Sequence, residues 1–400
     1  MVKSMKDINA VLMVVGTAIG AGMLGMPVES GLSGALPSVC CLLFAWVATL
    51  MSALLFADVL CHSDVGDNYV TISERLLGKH TKMITLAIYL LLFISLVFAY
   101  VKGIGIFLVG MLNLSHVWQG ALLFFCVVVP FIIFGMKLAA KLNAILVGAL
   151  AISFVCLISL GITETKINLL QYSNWSLGFL SLPLLLTTFG FHIVIPSLTK
   201  YLDNNRIQIR KVLILGSVLI FAIYLIWQLF VISIIPQSGE QSLAHALAND
   251  LTAVTPLIHH VHNIWISYFA QILYFSAVTT SFIGTTISLI DFIADAFRLQ
   301  HSWSSKSLII MLIFIPALLL SGTDLRIFYL SLKYGAGFAC VFLLLLLPVL
   351  YASRISKNLS IVTNSTNVQV NAFSSFTLFA SVVVTFTSAV LSAQIIGIMR

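Results

Sequence analysis

Two glycine-marked stretches, Gly16-Thr17-Ala18-Ile19-Gly20-Ala21-Gly22 and Thr187-Thr188-Phe189-Gly190-Phe191-His192, interrupt long apolar runs. A helix broken there exposes backbone N–H groups and a partial positive charge at the start of its outgoing half, a receptor for a carboxylate. Gly20, Ala21, Gly22 and Met23 are placed to supply those donors, and glycine lets a ligand approach the backbone without a Cβ clash. The incoming half ends in carbonyls that suit an ammonium group, and Thr188, Phe189 and Gly190 fill that part in the second stretch. Together the stretches describe a site for a zwitterion, hence an amino acid, although a small anion suits the first half alone. The bland alternative is that both glycine clusters only allow close helix packing.

Several side chains add chemistry near these breaks. Phe189, Phe191 and Tyr100 offer rings that stack on an aromatic ligand, or else face lipid and neighbouring helices. His192 is either a hydrogen-bond partner, a proton carrier or a packed neutral histidine. Lys102 is an ammonium well inside an apolar run, which points to a functional interior and a coupling role, against a lysine that snorkels to the interface. Thr280 and Ser281 supply hydroxyls for an ion or a ligand. Asp291 and Asp295 lie on one helix face and either gate an exit against Arg206 or Lys200 or are hydrated end-of-helix acids. Lys333 reads as an anchored interfacial lysine. The six cysteines lack metal-like spacing and read as small buried apolar residues. His245, His259, His260 and His262 crowd one loop, but no acidic or Cys partner stands at ligand spacing, so no metal or other cofactor is expected.

These groups must be positioned by membrane-spanning helices. Of 400 residues, 60% are hydrophobic and 8% charged, with a mean hydropathy of +1.11. About eleven runs are long enough to cross a bilayer core, which takes about 20 helical residues. They are placed at 8–34, 36–60, 84–112, 117–135, 142–162, 178–198, 212–235, 264–294, 307–321, 328–351 and 374–397. With the N-terminus cytoplasmic, fifteen Lys and Arg fall in inner segments and only Lys166, Arg326 and Arg400 in outer ones, which satisfies the positive-inside rule. The C-terminus is then periplasmic. The net charge of +7 is topology and does not indicate a nucleic-acid partner. The connection 61–83 is expected to carry an amphipathic helix on the membrane surface, with Ile72, Leu76 and Leu77 on its apolar side, and 352–373 a flexible loop.

Both breaks are followed by a proline, Pro27 and Pro196, and the second lies five spans after the first, so the two broken spans run in opposite directions. The expectation is a single all-α domain of two inverted repeats, approximately 8–162 and 178–351, with a peripheral helix at 374–397. The first and sixth helices are broken around a midplane site. An intramembrane enzyme would show a catalytic pair, and a structural or respiratory subunit would show paired mid-span histidines. Neither pattern is present, so the chain reads as a secondary transporter.

The string Gly16 to Leu24 followed by Met26-Pro27 resembles the opening motif of the bacterial hydroxy and aromatic amino acid permeases, closest to the tyrosine-specific members. Thr188 to His192 with Ile195-Pro196-Ser197 and Tyr201-Leu202-Asp203 resembles that family's sixth span. Ala277 to Gly284, then Asp291-Phe292 and Ala294-Asp295, resembles its eighth. The likeness implies a proton-driven importer of aromatic amino acids, tyrosine first, in a bacterial inner membrane, with the leucine-transporter type of fold. It carries substrate contacts to Gly16, Thr17, Gly20, Ala21, Gly22, Met23 and Thr188 to Gly190. Lys102 departs from the family, where a small polar residue is expected. Tryptophan, serine or another amino acid as substrate stays open, as do sodium coupling, exchange and the oligomeric state.

Overall fold

Apolar runs of this length leave the backbone one way to satisfy its own polar groups in lipid, the helix. The computed structural model describes residues 5–63, 67–134, 136–261, 263–296, 303–323, 327–362, 382–392 and 395, and is almost wholly helical. In chain order the first helices are α1 (Met5–Ala18), α2 (Ala21–Ser30), α3 (Ala35–Cys61), α4 (Tyr69–Leu77), α5 (Lys79–Leu112), α6 (Val117–Phe134) and α7 (Met136–Gly161). The chain continues through α8 (Trp175–Leu180), α9 (Leu182–Thr188), α10 (Ile195–Tyr201), α11 (Arg206–Ile234), α12 (Leu243–Ala248), α13 (Val254–His260), α14 (Ile264–Ala296) and α15 (Trp303–Ser321). The tenth span is built from α16 (Ile327–Leu330), α17 (Gly337–Cys340) and α18 (Leu347–Val362), joined by π-helical turns at Ser331–Ala336 and Val341–Leu346.

Among the described residues, eight helices are long and apolar enough to span. The pair Lys6–Ala18 and Ala21–Ser33, bent by 53°, makes a ninth, and the shorter apolar helices Val117–Ile133 and Val382–Ser392 fall within the expected fourth and eleventh runs. Helices α5, α7, α11 and α15 begin several residues before the hydropathy-derived limits. Hydropathy marks the lipid-buried part, whereas the helix itself continues into polar residues such as Lys79, Lys82, Arg206 and Arg210.

Two connections differ from expectation. Helix α4 packs on α5 and α18 rather than lying on lipid. Tyr69, Ile72 and Ser73 are buried, and Ser73 Oγ meets Thr85 Oγ1 at 2.7 Å and Tyr351 Oη at 2.6 Å. Asn68 caps the helix by accepting from the backbone of Val70 and Thr71, with the Thr71 hydroxyl returning the bond. The expected loop after residue 351 is helical as far as Val362, and 363–373 lies outside the described residues.

The two ends of the bundle differ in polarity. At the end holding the start of α1 and of α11, Asp58 accepts from Arg206 at 2.8 and 2.9 Å and from Arg210 at 2.6 Å, and Lys6 pairs with Asp203 at 2.6 Å. This basic end lies opposite the end formed by Ser30, α12 and α13.

Candidate functional site

The first and sixth spans break side by side. Helix α1 stops at Ala18 and α2 starts at Ala21. Helix α9 stops at Thr188, and a 3-10 turn, Phe191–Val194, leads into α10. Gly22 lies against Thr188, where an added Cβ would stand 3.2 Å from Thr188 Oγ1. Between the breaks and the basic end runs a cavity of about 740 Å³. Its deep part is lined by Gly16 to Ala18, Gly20 to Gly22, Thr187, Thr188, Gly190, Tyr100, Thr280 and Ser281. Toward the basic end it passes Tyr89, Phe93, Ser197, Phe292 and Asn68. Among the described residues its lining contains no Asp, Glu, Lys, Arg or His.

The polar groups freed at the breaks have named partners. Ala21 N donates to Ser281 Oγ at 3.4 Å, a long bond that a stronger acceptor such as a carboxylate would displace. The Tyr100 hydroxyl stands near the Ser281 and Thr285 side chains, so three hydroxyls cluster beside that N–H. On the carbonyl side, Tyr224 of α11 places its hydroxyl 2.6 Å from Ala18 O and 3.0 Å from Thr188 O, bridging the last carbonyls of α1 and α9. Each carbonyl keeps a second lone pair. Pro27, inside α2, has no N–H to give to Met23 O four residues earlier. Trp227 Nε1 fills that vacancy from α11 at 2.9 Å. The sixth span is tied to the tenth by Thr187, whose hydroxyl lies 3.1 Å from Leu332 O in the first π-helical turn.

The structure brings together Gly16, Thr17, Gly20, Ala21, Gly22, Thr188, Gly190, Tyr100, Thr280 and Ser281 at the cavity. Other residues singled out in the sequence sit elsewhere. Met23 is buried behind the lining, its carbonyl taken by Trp227. Phe189 packs edge-on against Tyr224 with ring centroids 5.2 Å apart, and Phe191 stacks on His192 at 5.1 Å. All three of Phe189, Phe191 and His192 are fully buried, and neither His192 nitrogen has a hydrogen-bond partner. Lys102 is buried away from the cavity and donates to Ser321 O at 3.0 Å and Thr323 O at 2.8 Å, at the C-terminal end of α15 where the helix dipole favours a cation. The side chains of Asp291 and Asp295 lie outside the described residues. Of their expected gate partners, Arg206 and Lys200, the first is engaged by Asp58. His260 Nε2 lies 3.0 Å from Gln241 O, and His262 lies outside the described residues.

Sequence reasoning missed one pair and misread part of it. Lys333 is not an interfacial lysine: its side chain is 14% exposed and forms an ion pair with Glu29, 6% exposed, in the last turn of α2. The signal was present, because an acid within the first predicted span is costly in lipid and marks function by default. Tyr224 and Trp227 were passed over as ordinary aromatic residues of an apolar helix.

A bent first span, a broken sixth and a cavity where they meet define a multi-pass membrane transport protein with the leucine-transporter type of fold. The crystal structure of MhsT in complex with L-phenylalanine matches it with a TM-score of 0.66 at 12% identity, covering 96% of this chain and 98% of that one. Residues 3–388 match the tryptophan/tyrosine permease family, and the chain belongs to that family, whose members are transporters and not enzymes. The tyrosine-specific transport system 1 of Haemophilus influenzae is 30% identical over 354 residues, 86% of this chain and 87% of its relative. The tryptophan-specific transport protein of the same organism is 28% identical over 369 residues, 88% of each chain.

Proposed function

We propose that this protein imports aromatic amino acids, tyrosine foremost, by proton symport across a bacterial inner membrane. The single observation that carries the substrate class is the cavity at the junction of the two broken spans, whose described lining residues carry no charge. A lining without ionised side chains suits a ligand whose own charges cancel, and the freed backbone groups at Ala21, Ala18 and Thr188 suit its carboxylate and ammonium. Gly16, Thr17, Gly20 and Gly22 allow the backbone to approach the ligand, with Gly190 across the site. Tyr100, Tyr89 and Phe93 supply ring faces for an aromatic side chain. The tyrosine-specific and tryptophan-specific relatives support the aromatic class.

The cavity extends from the breaks to the basic end, which the positive-inside rule assigns to the cytoplasm. On this reading the N-terminus is cytoplasmic, the C-terminus periplasmic, and the conformation faces inward. Two inverted repeats, 8–162 and 178–351, rock about the site to expose it alternately. Thr280 and Ser281 stand beside the first break and serve the substrate; the same hydroxyls suit a sodium ion, so the driving ion needs its own test.

The experiment is uptake of radiolabelled tyrosine, tryptophan, phenylalanine and serine into proteoliposomes with proton and sodium gradients imposed separately. Accumulation of tyrosine above the other three with an inward proton gradient alone is the expected result. Equal uptake without a proton gradient, or accumulation with sodium only, overturns the coupling. Preference for serine overturns the substrate class.

A further inference from the structure

A proton that crosses with the substrate needs a carrier, and no ionised side chain among the described residues lines the cavity. A buried ion pair stands at the sealed end. Glu29, in the last turn of α2, accepts a hydrogen bond from Lys333 Nζ through Oε1. Its second oxygen, Oε2, is buried with no hydrogen-bond partner. Lys333 belongs to the π-helical turn Ser331–Ala336, whose Leu332 lines the cavity and accepts from Thr187 of the broken sixth span. Its Nζ also lies 5.7 Å from the Tyr334 ring. π-helical turns in otherwise regular helices are frequent at functional sites.

Besides Lys333, the titratable groups facing Glu29 are few. Tyr329 of α16 holds its hydroxyl 2.9 Å from Leu251 O and 3.5 Å from Gly25 O, and its N–H donates to Asp250 Oδ1 at 3.1 Å. Helix α2 packs on α8, α9, α11, α12, α14 and the 3-10 turn Gly31–Ser33. Of these, α8, α9 and the turn contain no ionisable side chain, and the charged residues of α11 sit at its opposite end. There α11 presents Gln228, which donates to Ser30 Oγ at 2.7 Å. Tyr274 of α14 is committed to Gly103 O, and His245 of α12 is exposed.

Building on the proton-symport reading above, we infer that Glu29 carries the coupled proton, with Lys333 as the counter-ion that holds it ionised while this end is closed. The pair links the outgoing half of the first span to the tenth. Opening that end pulls the two elements apart, and separating two desolvated charges is strongly unfavourable. A proton taken from the water on that side neutralises the carboxylate and leaves one lysine to be hydrated. Oε2 is the position open to receive it. After the end reseals and the cavity faces the basic side, the carboxylate pairs with Lys333 again and expels its proton toward the cavity, which Glu29 does not line but which the Lys333 turn adjoins through Leu332. One proton enters, one leaves, and no other bond changes.

The test uses the intact protein in proteoliposomes and two assays on the same vesicles. One is tyrosine counterflow at equal pH, which needs alternating access but no coupling. The other is accumulation driven by a pH step of one unit, which supports about tenfold accumulation at one proton per substrate. Wild type is expected to perform both. Glu29→Gln is expected to keep counterflow within about twofold while its accumulation ratio falls from about ten to about one. The double variant Glu29→Gln, Lys333→Gln replaces the charges by a neutral hydrogen-bonding pair, and the same split is expected of it if the single variant fails to assemble. Wild-type-like accumulation in either variant overturns the assignment. Counterflow without accumulation in wild type overturns the symport reading instead.

Discussion

Gly20 and Ser281 approach so closely that a Cβ added to the first would fall 2.0 Å from the hydroxyl oxygen of the second. Ser281 Oγ is also the group that receives the Ala21 N–H. Gly20→Ala therefore forces the serine or the backbone of the break to shift, which moves the first-turn donors of α2 away from the substrate carboxylate. Uptake is expected to drop about tenfold, equivalent to about 1.4 kcal/mol of binding. Gly20→Ala with Ser281→Ala removes the clashing oxygen and is expected to recover part of the loss, measured as initial rates of tyrosine uptake.

Trp227 and Pro27 are coupled through one carbonyl. Trp227→Phe removes the donor to Met23 O and is expected to lower stability. The cost lies between about 0.6 kcal/mol, the average for interhelical bonds in membranes, and about 3 kcal/mol for an orphaned buried acceptor. Pro27→Ala restores an N–H that can reach the same oxygen. A double-mutant cycle on detergent melting temperatures should show Trp227→Phe costing less in the Pro27→Ala background; strict additivity would sink this account.

Tyr224→Phe withdraws the hydroxyl shared by Ala18 O and Thr188 O. Because both acceptors belong to the broken spans, the change is expected to weaken substrate affinity as well as lower the melting temperature. Loss of thermal stability with an unchanged KM would place this hydroxyl outside the binding event.

Lys102→Met leaves the final carbonyls of α15 without their ammonium donor. The expected outcome is a lower melting temperature with pH-driven accumulation per folded molecule retained. Loss of accumulation at unchanged melting temperature would give Lys102 the coupling part that its sequence position suggested.

Much of the fold was legible because lipid permits so few structures. The spans, the breaks at Gly16–Gly22 and Thr187–His192, and the grouping of Tyr100, Thr280 and Ser281 all follow from hydropathy, glycine placement and resemblance. What escaped was the pairing of groups far apart in the chain. Nothing local in the sequence says that Glu29 meets Lys333 across 304 positions, or that Trp227 answers a proline 200 residues earlier. Phe189, Phe191 and His192 were misleading for a related reason: three neighbours at a break point in different directions, and only tertiary packing decides which of them face the cavity. The π-helical turns of the tenth span have no composition of their own and were invisible.

A cavity whose described lining holds no ionised side chain would also sort its visitors by hydration. Lysine and arginine carry a cation that must leave water with no carboxylate to meet it, and glutamate and aspartate carry an anion in the same position. Both signs are expected to be disfavoured alike, although no described residue lining the cavity repels either one. Selectivity against charged amino acids is thus a property of what the wall lacks, and one acid or base introduced at Thr187 or Ser288 should be enough to admit the opposite class.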